Sequence, residues 1–302
     1  MTINYQDKYP LVSIAIITFN QKEFLRQCIE SCLVQDYPNI EIVVADDCST
    51  DGTQEMLAQY SRDYSNKFVL RLGSENKGIT KNSNEAHFAC SGKYIAWMGG
   101  DDVMLPGKIS RQVNFMENNP KCTLCYHDLD VFNSETDETL FFWSKKVKPI
   151  DGEADRYIRS GVVNGACSTM VRADKIPQHG FNESIPVASD WLYWVECLIS
   201  GGTINHIPEI LGRYRRHSNN VTKENGFIGQ NSVDHLNSCN FILAKRPCLI
   251  KDIMYRYADN MFSLRKKGLY FQSVLYSMKI NFRFKYLLSI CVYIFTFGLI
   301  KL

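Results

Sequence analysis

The chain has 302 residues, 45% of them apolar and 22% charged, with 18 glycines and nine prolines in no repeating pattern. That length and composition can bury a full core, and they exclude collagen-like, disordered and fibrous classes. The formal charge of +2 hides an asymmetry: residues 239–302 carry eleven Lys/Arg against two Asp/Glu, and residues 1–238 carry 23 against 30. An acidic body argues against nucleic acid as a partner, and a basic, aromatic tail points to an anionic membrane surface.

The eleven cysteines are scattered along the chain, not set at the spacings of a small secreted scaffold. Their odd count, with an opening MTINYQDKYP that lacks an apolar signal core, predicts a reducing cytosol. Cys122-x-x-Cys125 with His127 close behind looks zinc-like, but no second CxxC or HxxxH completes a four-ligand set. The alternation in CTLCYHDLDVF predicts a buried strand there instead.

In chain order, Val12–Phe19 is a continuous apolar run of strand length. Asn20 is positioned to cap a following helix, with Glu23 as its reciprocal partner, and Pro38 lies beyond that helix's end. Ile40–Ala45 is a second buried strand, closing on Asp46-Asp47, and Asp51-x-x-Gln54 reads as another capping box. Phe68–Leu72 is a third strand and a helix is expected around Lys81–Cys90. Tyr94–Met98 is a fourth, closing on Gly99-Gly100-Asp101-Asp102, followed by a helix around Lys108–Glu117 and a strand from Cys122 to Phe132. Buried strands alternating with amphipathic helices predict a mostly parallel, Rossmann-like α/β sheet flanked by helices. Ligands of such sheets sit at the carboxyl ends of the strands, where both acidic pairs fall.

The first strand–helix turn, Thr18-Phe19-Asn20-Gln21, contains no glycine, and no GxxxxGK[ST] occurs. This excludes the usual dinucleotide and P-loop cradles, so any phosphate must be met by a metal and cationic side chains. Farther on, Gly165–Arg172 reads as a strand, Asp190–Ile199 as an aromatic-rich helix, and Thr203–Tyr214 as extended. From about Phe227 the chain turns helical and basic, which divides it into residues 1–225 and 226–302.

The segments VSIAIITFNQ, VVADDCSTDGT, ENKGITKNSN, YIAWMGGDDVMLPGKI, FNE…SDWLYW and YRRHSNNVT occur in the order found in family 2 glycosyltransferases. From Leu11 to Thr222 the chain resembles that inverting, GT-A-fold family, of the kind that assembles bacterial surface polysaccharides and glycans. The resemblance implies that Thr18 and Asn20 line a nucleotide pocket and that Asp47 accepts from a uracil ring, with Asp46 beside it. It also implies that Asp101 holds a divalent Mg²⁺ or Mn²⁺ on the diphosphate, with Asp102 and Lys81 among the donor-binding groups. Asp190 would be the catalytic base, and His217 would approach the metal or diphosphate. Two departures bear on the donor contacts. Gly99 stands where many members carry the first Asp of Asp-x-Asp-Asp, and Ser83-Asn84 replaces a frequent Arg-Asn pair. Ser189 stands where an acidic residue often precedes the base.

The residue types suit such chemistry: a hard cation neutralises charge on a leaving nucleoside diphosphate, and one carboxylate takes the acceptor hydroxyl's proton. Read alone, Asp190 is also a plain N-cap, and His217 a solvent-facing histidine in a basic loop. Trp191, Tyr193 and Trp194 suit either a sugar face or a core. In the tail, Lys279, Arg283 and Lys285 precede Tyr286–Ile300, 15 residues without a charge. A spanning helix needs about 20, so an interfacial helix at the inner face of the cell membrane is expected, with a helix packed on the catalytic domain as the alternative. The expectation is thus a cytoplasmic, peripherally membrane-associated enzyme moving a sugar from a UDP-sugar to a saccharide acceptor on a lipid diphosphate. A catalytically weak scaffold member of the same fold is the alternative, and a sugar nucleotidyltransferase is disfavoured by the missing Gly-rich loop.

Overall fold

The computed structural model describes residues 9–218, 220, 230–267 and 270–296. The expected boundary at residue 225, the motif's closing Thr222 and the end of the apolar segment beyond Thr296 lie outside them. Nine strands form one sheet: β1 (Val12–Thr18), β2 (Ile40–Asp46), β3 (Phe68–Leu72), β4 (Tyr94–Gly99), β5 (Val103–Met104), β6 (Cys122–Asn133), β7 (Thr139–Phe142), β8 (Thr169–Arg172) and β9 (Thr203–Arg216). Their order is β3-β2-β1-β4-β8-β6-β9-β5, with β7 on the outside of β6.

The four strands read from apolar runs are the parallel half of this sheet, in the order that right-handed crossovers produce. The other half is mixed. β8 runs antiparallel to both β4 and β6, while β6 and β9 pair in parallel along their length. Side chains alternate between two cores: Ile14 and Ile16 face one, Ala15 the other. The first core is covered by α1 (Lys22–Leu33), α2 (Thr53–Asp63) and α4 (Lys108–Asn118). The second is covered by α3 (Ile79–Ala89), α6 (Ala154–Ser160), α7 (Ser189–Ile199) and α8 (Gln230–Lys245). A short helix, α5 (Trp143–Lys146), follows β7. The tail continues as α9 (Ile250–Ser263), α10 (Tyr270–Ile280) and α11 (Phe284–Phe295), which share a small core of Ala258, Phe262, Tyr270, Val274 and Tyr286.

Cys122 and Cys125 are buried on β6 as free thiols, and burial pushes the Cys122 thiol up to about 12. A thiol so hard to ionise is a poor metal ligand, so the strand reading holds. Neither capping box forms. Asn20 sits in the left-handed region at φ 49°, and the cap position of α1 is Gln21. Asp51 instead serves both helices, accepting from Lys22 N at 2.9 Å and from Thr53 N at 3.1 Å. Burial works to raise the Asp51 carboxyl, yet the bonds from Thr53 and Lys22 hold it below its ordinary value. A cap across two loops ties the ends of β1 and β2 together.

Trp191, Tyr193 and Trp194 are at most 2% exposed and line the second core, where Tyr193 stacks on Phe181 with centroids 4.0 Å apart. None of the three offers a face to a sugar.

Candidate active site

The parallel pairing sets Thr18 opposite Asp46 and Ile17 opposite Gly99, so the carboxyl ends of β1, β2 and β4 form one rim. Thr18 is buried, and its Oγ1 has no hydrogen-bond partner among the described residues. Asn20 is exposed at the adjoining turn, where its Oδ1 accepts from Thr50 N at 2.8 Å and its own N–H donates to Ser49 Oγ at 2.7 Å. A cavity of about 450 Å³ opens beside this turn, lined by Gln21, Lys22, Glu23, Phe24 and Asp51.

The two aspartates after β2 differ. Asp46 points inward, bonded by the Ser49 hydroxyl and N–H and by Gln54 Nε2 at 2.8 Å, which leaves it 1% exposed. Asp47 receives the N–H of Lys77 at 2.7 Å and of Gly78 at 2.8 Å, one on each oxygen. Each oxygen retains accepting capacity beyond these bonds. Lys81 is exposed on α3, one residue past Thr80, whose hydroxyl donates to Ile185 O at 2.7 Å.

Asp101 and Asp102 also divide. Asp101 Oδ2 lies 3.0 Å from His217 Nε2, and Asn220 Nδ2 donates to the same oxygen at 3.2 Å. Asp102 is turned into the protein, 4% exposed, where its Oδ1 accepts from Arg215 N at 3.0 Å. Burial, and then the charge of Asp101, hold the Asp102 carboxyl well above its ordinary value. Asp46, Asp47 and Asp102 are thus all buried, at most 5% exposed, and Asp101 is the one carboxylate of the four that reaches the rim surface. Arg215 completes the corner, donating through Nε to Asp101 O at 2.6 Å and through Nη2 to Gln27 at 2.6 Å. Its guanidinium lies over the rings of Phe24 and Phe132.

The glycines at this corner answer to space. A Cβ at Gly99 would lie 2.7 Å from Asp101 Oδ1, and one at Gly100 would lie 2.6 Å from Gln21 Nε2. A carboxylate in the first position of the Asp-x-Asp-Asp pattern would need the Asp101 side chain to shift.

Asp190 is the second residue of α7, not its cap, and it is partly exposed. Its Oδ1 accepts from Trp191 N at 2.8 Å, but burial outweighs that bond and raises its carboxyl above the ordinary value. The loop before it is held from behind by Asp234 of α8, whose Oδ2 accepts from both Val187 N and Ala188 N at 2.9 Å. Asn82 bridges the strand ends, donating to Ala45 O at 3.0 Å and Thr18 O at 3.3 Å. Sequence alone gives Asn82, Arg215 and Asp234 no role and reads Gln54 only as a capping partner of Asp51. The partners named here lie eight to 188 positions away, so no local pattern marks them.

Comparison with known proteins decides the family. The model of "Glycosyl transferase family 2" matches residues 13–175. This chain belongs to glycosyltransferase family 2. Its matched region runs through β1–β4 and both acidic pairs. An uncharacterized protein of Mycobacterium tuberculosis is 29% identical over 217 residues, 70% of this chain and 60% of that protein. The chain thus spans about 60% of the length of the mycobacterial relatives it matches. TuaG of Bacillus subtilis, a putative teichuronic acid biosynthesis glycosyltransferase, is 26% identical over 214 residues, 70% of this chain and 82% of TuaG.

Among solved structures, S. aureus TarS 1–349 in complex with UDP-GlcNAc superposes with a TM-score of 0.67 at 17% identity, covering 86% of this chain and 75% of that one. The mannosyltransferase PcManGT from Pyrobaculum calidifontis, in complex with GDP-Man and Mn²⁺, gives 0.63 at 14% identity, covering 97% and 81%. These likenesses establish the GT-A fold.

A divalent ion suits the corner. Asp101 and His217 offer one oxygen and one nitrogen 3.0 Å apart at the rim, a donor set that Mg²⁺ or Mn²⁺ accepts. Among the described residues no three His, Cys, Asp or Glu side chains gather to hold a metal. The shell would have to be completed by ligand oxygens and water, as is usual for Mg²⁺ on phosphates.

Proposed function

We propose that this family member is a metal-dependent, inverting glycosyltransferase that moves one sugar from a UDP-sugar to a saccharide acceptor carried on a lipid diphosphate. The observation that carries the reading is the Asp101–His217 pair, on the same sheet edge as Asp47. The UDP and UDP-GlcNAc complexes of TarS and the Mn²⁺ complex of PcManGT support a nucleotide-sugar donor and a metal. Asp47 accepts the uracil ring N–H on a remaining lone pair, next to Thr18 and Asn20. Asp101 and His217 would hold Mg²⁺ or Mn²⁺, which when bound neutralises charge on the diphosphate. Lys81 adds a cation to that side. Asp190 takes the proton of the acceptor hydroxyl, and its raised carboxyl marks a stronger base than an ordinary aspartate.

The direct test is release of UDP from a panel of UDP-sugars in the presence of a lipid-diphosphate saccharide. Release is expected with at least one sugar, and chelator is expected to stop it. Faster turnover of a GDP-sugar, or full activity in chelator, removes the uridine or the metal part of the reading.

The membrane part rests on the tail. No helix among the described residues is long and apolar enough to cross a membrane. α11 buries Tyr286 and Ser289 against α9 and α10 but exposes Phe284, Leu287, Leu288, Ile294 and Phe295, and α10 exposes Phe271, Leu275 and Tyr276. With Lys279 exposed in the last turn of α10, this is the make-up of a helix pair lying on an anionic interface. Replacing Phe284, Leu288 and Phe295 by Ser is expected to abolish retention on phosphatidylglycerol vesicles and to leave UDP binding unchanged. Retention equal to the parent's assigns the face elsewhere.

A further inference from the structure

Behind α7, the helix that carries Asp190, lies a second cavity, of about 310 Å³, between α8 and α9. Six of its seven lining residues carry donors, among them His235, Arg256 and Asn260, and the seventh is the carboxylate of Asp259. Arg256 is the unusual member. Its Nε is buried without a hydrogen-bond partner, and no ion pair or hydrogen bond to the guanidinium exists among the described residues. The guanidinium lies against Gly161, where an added Cβ would come within 2.4 Å of Cζ. Burial lowers it from its ordinary value, yet a guanidinium stays charged under any physiological condition.

Buried charges in proteins are paired, and this one is not. The near carboxylate, Asp259, is already engaged by Arg283 and Lys285. Three cations thus surround one carboxylate, and the surplus faces a cavity of ligand size. A planar, five-donor fork with hydroxyl and amide donors around it matches a tetrahedral phosphoryl group.

The cavity adjoins the candidate base. His235 meets the Trp191 ring edge-on with centroids 5.4 Å apart, and Trp191 follows Asp190. Tyr157, whose hydroxyl bonds Asn164 at 2.9 Å, feels the charges of both Asp190 and Arg256. We propose that the α8–α9 cavity is a phosphoryl-binding subsite built on Arg256, separate from the donor's diphosphate site, that receives a phosphate of the acceptor. The assignment to the acceptor rests on the reading of function given above; the binding of a phosphoryl group does not.

The test uses the full chain and inorganic pyrophosphate in chelator, without donor. Pyrophosphate is expected to raise the melting temperature of the parent by several degrees, and Arg256→Gln is expected to weaken its binding at least about tenfold. Asn260→Asp, which adds a carboxylate to the cavity beyond the already paired Asp259, gives a second variant with the same expected loss if Arg256→Gln does not fold. UDP affinity should be unchanged in both. A pyrophosphate response equal in parent and variants, or none in the parent, overturns the subsite. Vesicles of phosphatidylcholine with and without phosphatidylglycerol separate the sources: a retention loss confined to Arg256→Gln on the anionic vesicles assigns the site to a lipid headgroup, and equal retention assigns it to the acceptor's own phosphate. A pyrophosphate response in a chain that transfers no sugar removes the reading of function and leaves the site standing.

Discussion

Asp190→Asn is expected to transfer sugar at least about 10²-fold more slowly than the parent, with donor affinity unchanged. The amide keeps the oxygen that accepts from Trp191 N, so the start of α7 is preserved, but it cannot take a proton at neutral pH. Stability separates this from a folding defect. The raised carboxyl means that the unfolded chain releases its proton first, so the group stabilises the fold only at low pH and that contribution is lost as pH rises through the folded-state value. At neutral pH the parent therefore holds a costly buried charge, and the variant should melt no lower. The same shift places the acid limb of the parent's kcat/KM profile above the value near 4 of an unperturbed aspartate. Wild-type turnover by Asp190→Asn would reduce the residue to a helix-end carboxylate.

Asp101→Asn removes the anionic half of the proposed metal pair while keeping a side chain of the same size. Transfer should fall to background, and UDP binding should lose its dependence on Mn²⁺. The local structure should survive, because Arg215 grips Asp102 Oδ1 and the main-chain oxygen of residue 101, not the Asp101 carboxylate. Titration of UDP with and without Mn²⁺ reads this directly: metal-dependent affinity retained in the variant shows that another group holds the ion.

The parallel half of the fold was legible because strands buried on both faces are written as unbroken apolar runs, and all four were found within a residue or so of their ends. The rim followed from the same reading, since an acidic pair closing such a strand has one place to be. The mixed half was harder. β7 is mostly exposed and carries TLFF with no burial pattern, and the expected strand Gly165–Arg172 opens as a 3-10 turn at Ala166–Ser168 before β8. The capping boxes failed for a different reason. Asp51 satisfies two helix starts at once, and Gln54 turns away to hold Asp46. Local spacing cannot reveal which of two nearby donors a carboxylate meets once loops from different strands are brought together. The aromatic cluster on α7 was left open between sugar and core, and the helix's burial against the sheet settles it.

The long parallel pairing of β9 with β6 brings Arg215 and His217 to Asp101 and Asp102 from 113 and 116 residues away. At about 5–20 residues per second, a ribosome makes His217 roughly 6–23 s after Asp101. During that interval β1, β2 and β4 can pair, because all three precede β9 in the chain, but the corner lacks its guanidinium clamp and its imidazole. Until then Asp101 lacks the imidazole that pairs with it, and Asp102 lacks the main-chain N–H that holds it. The corner is therefore completed only when β9, the last strand of the sheet among the described residues, has been made.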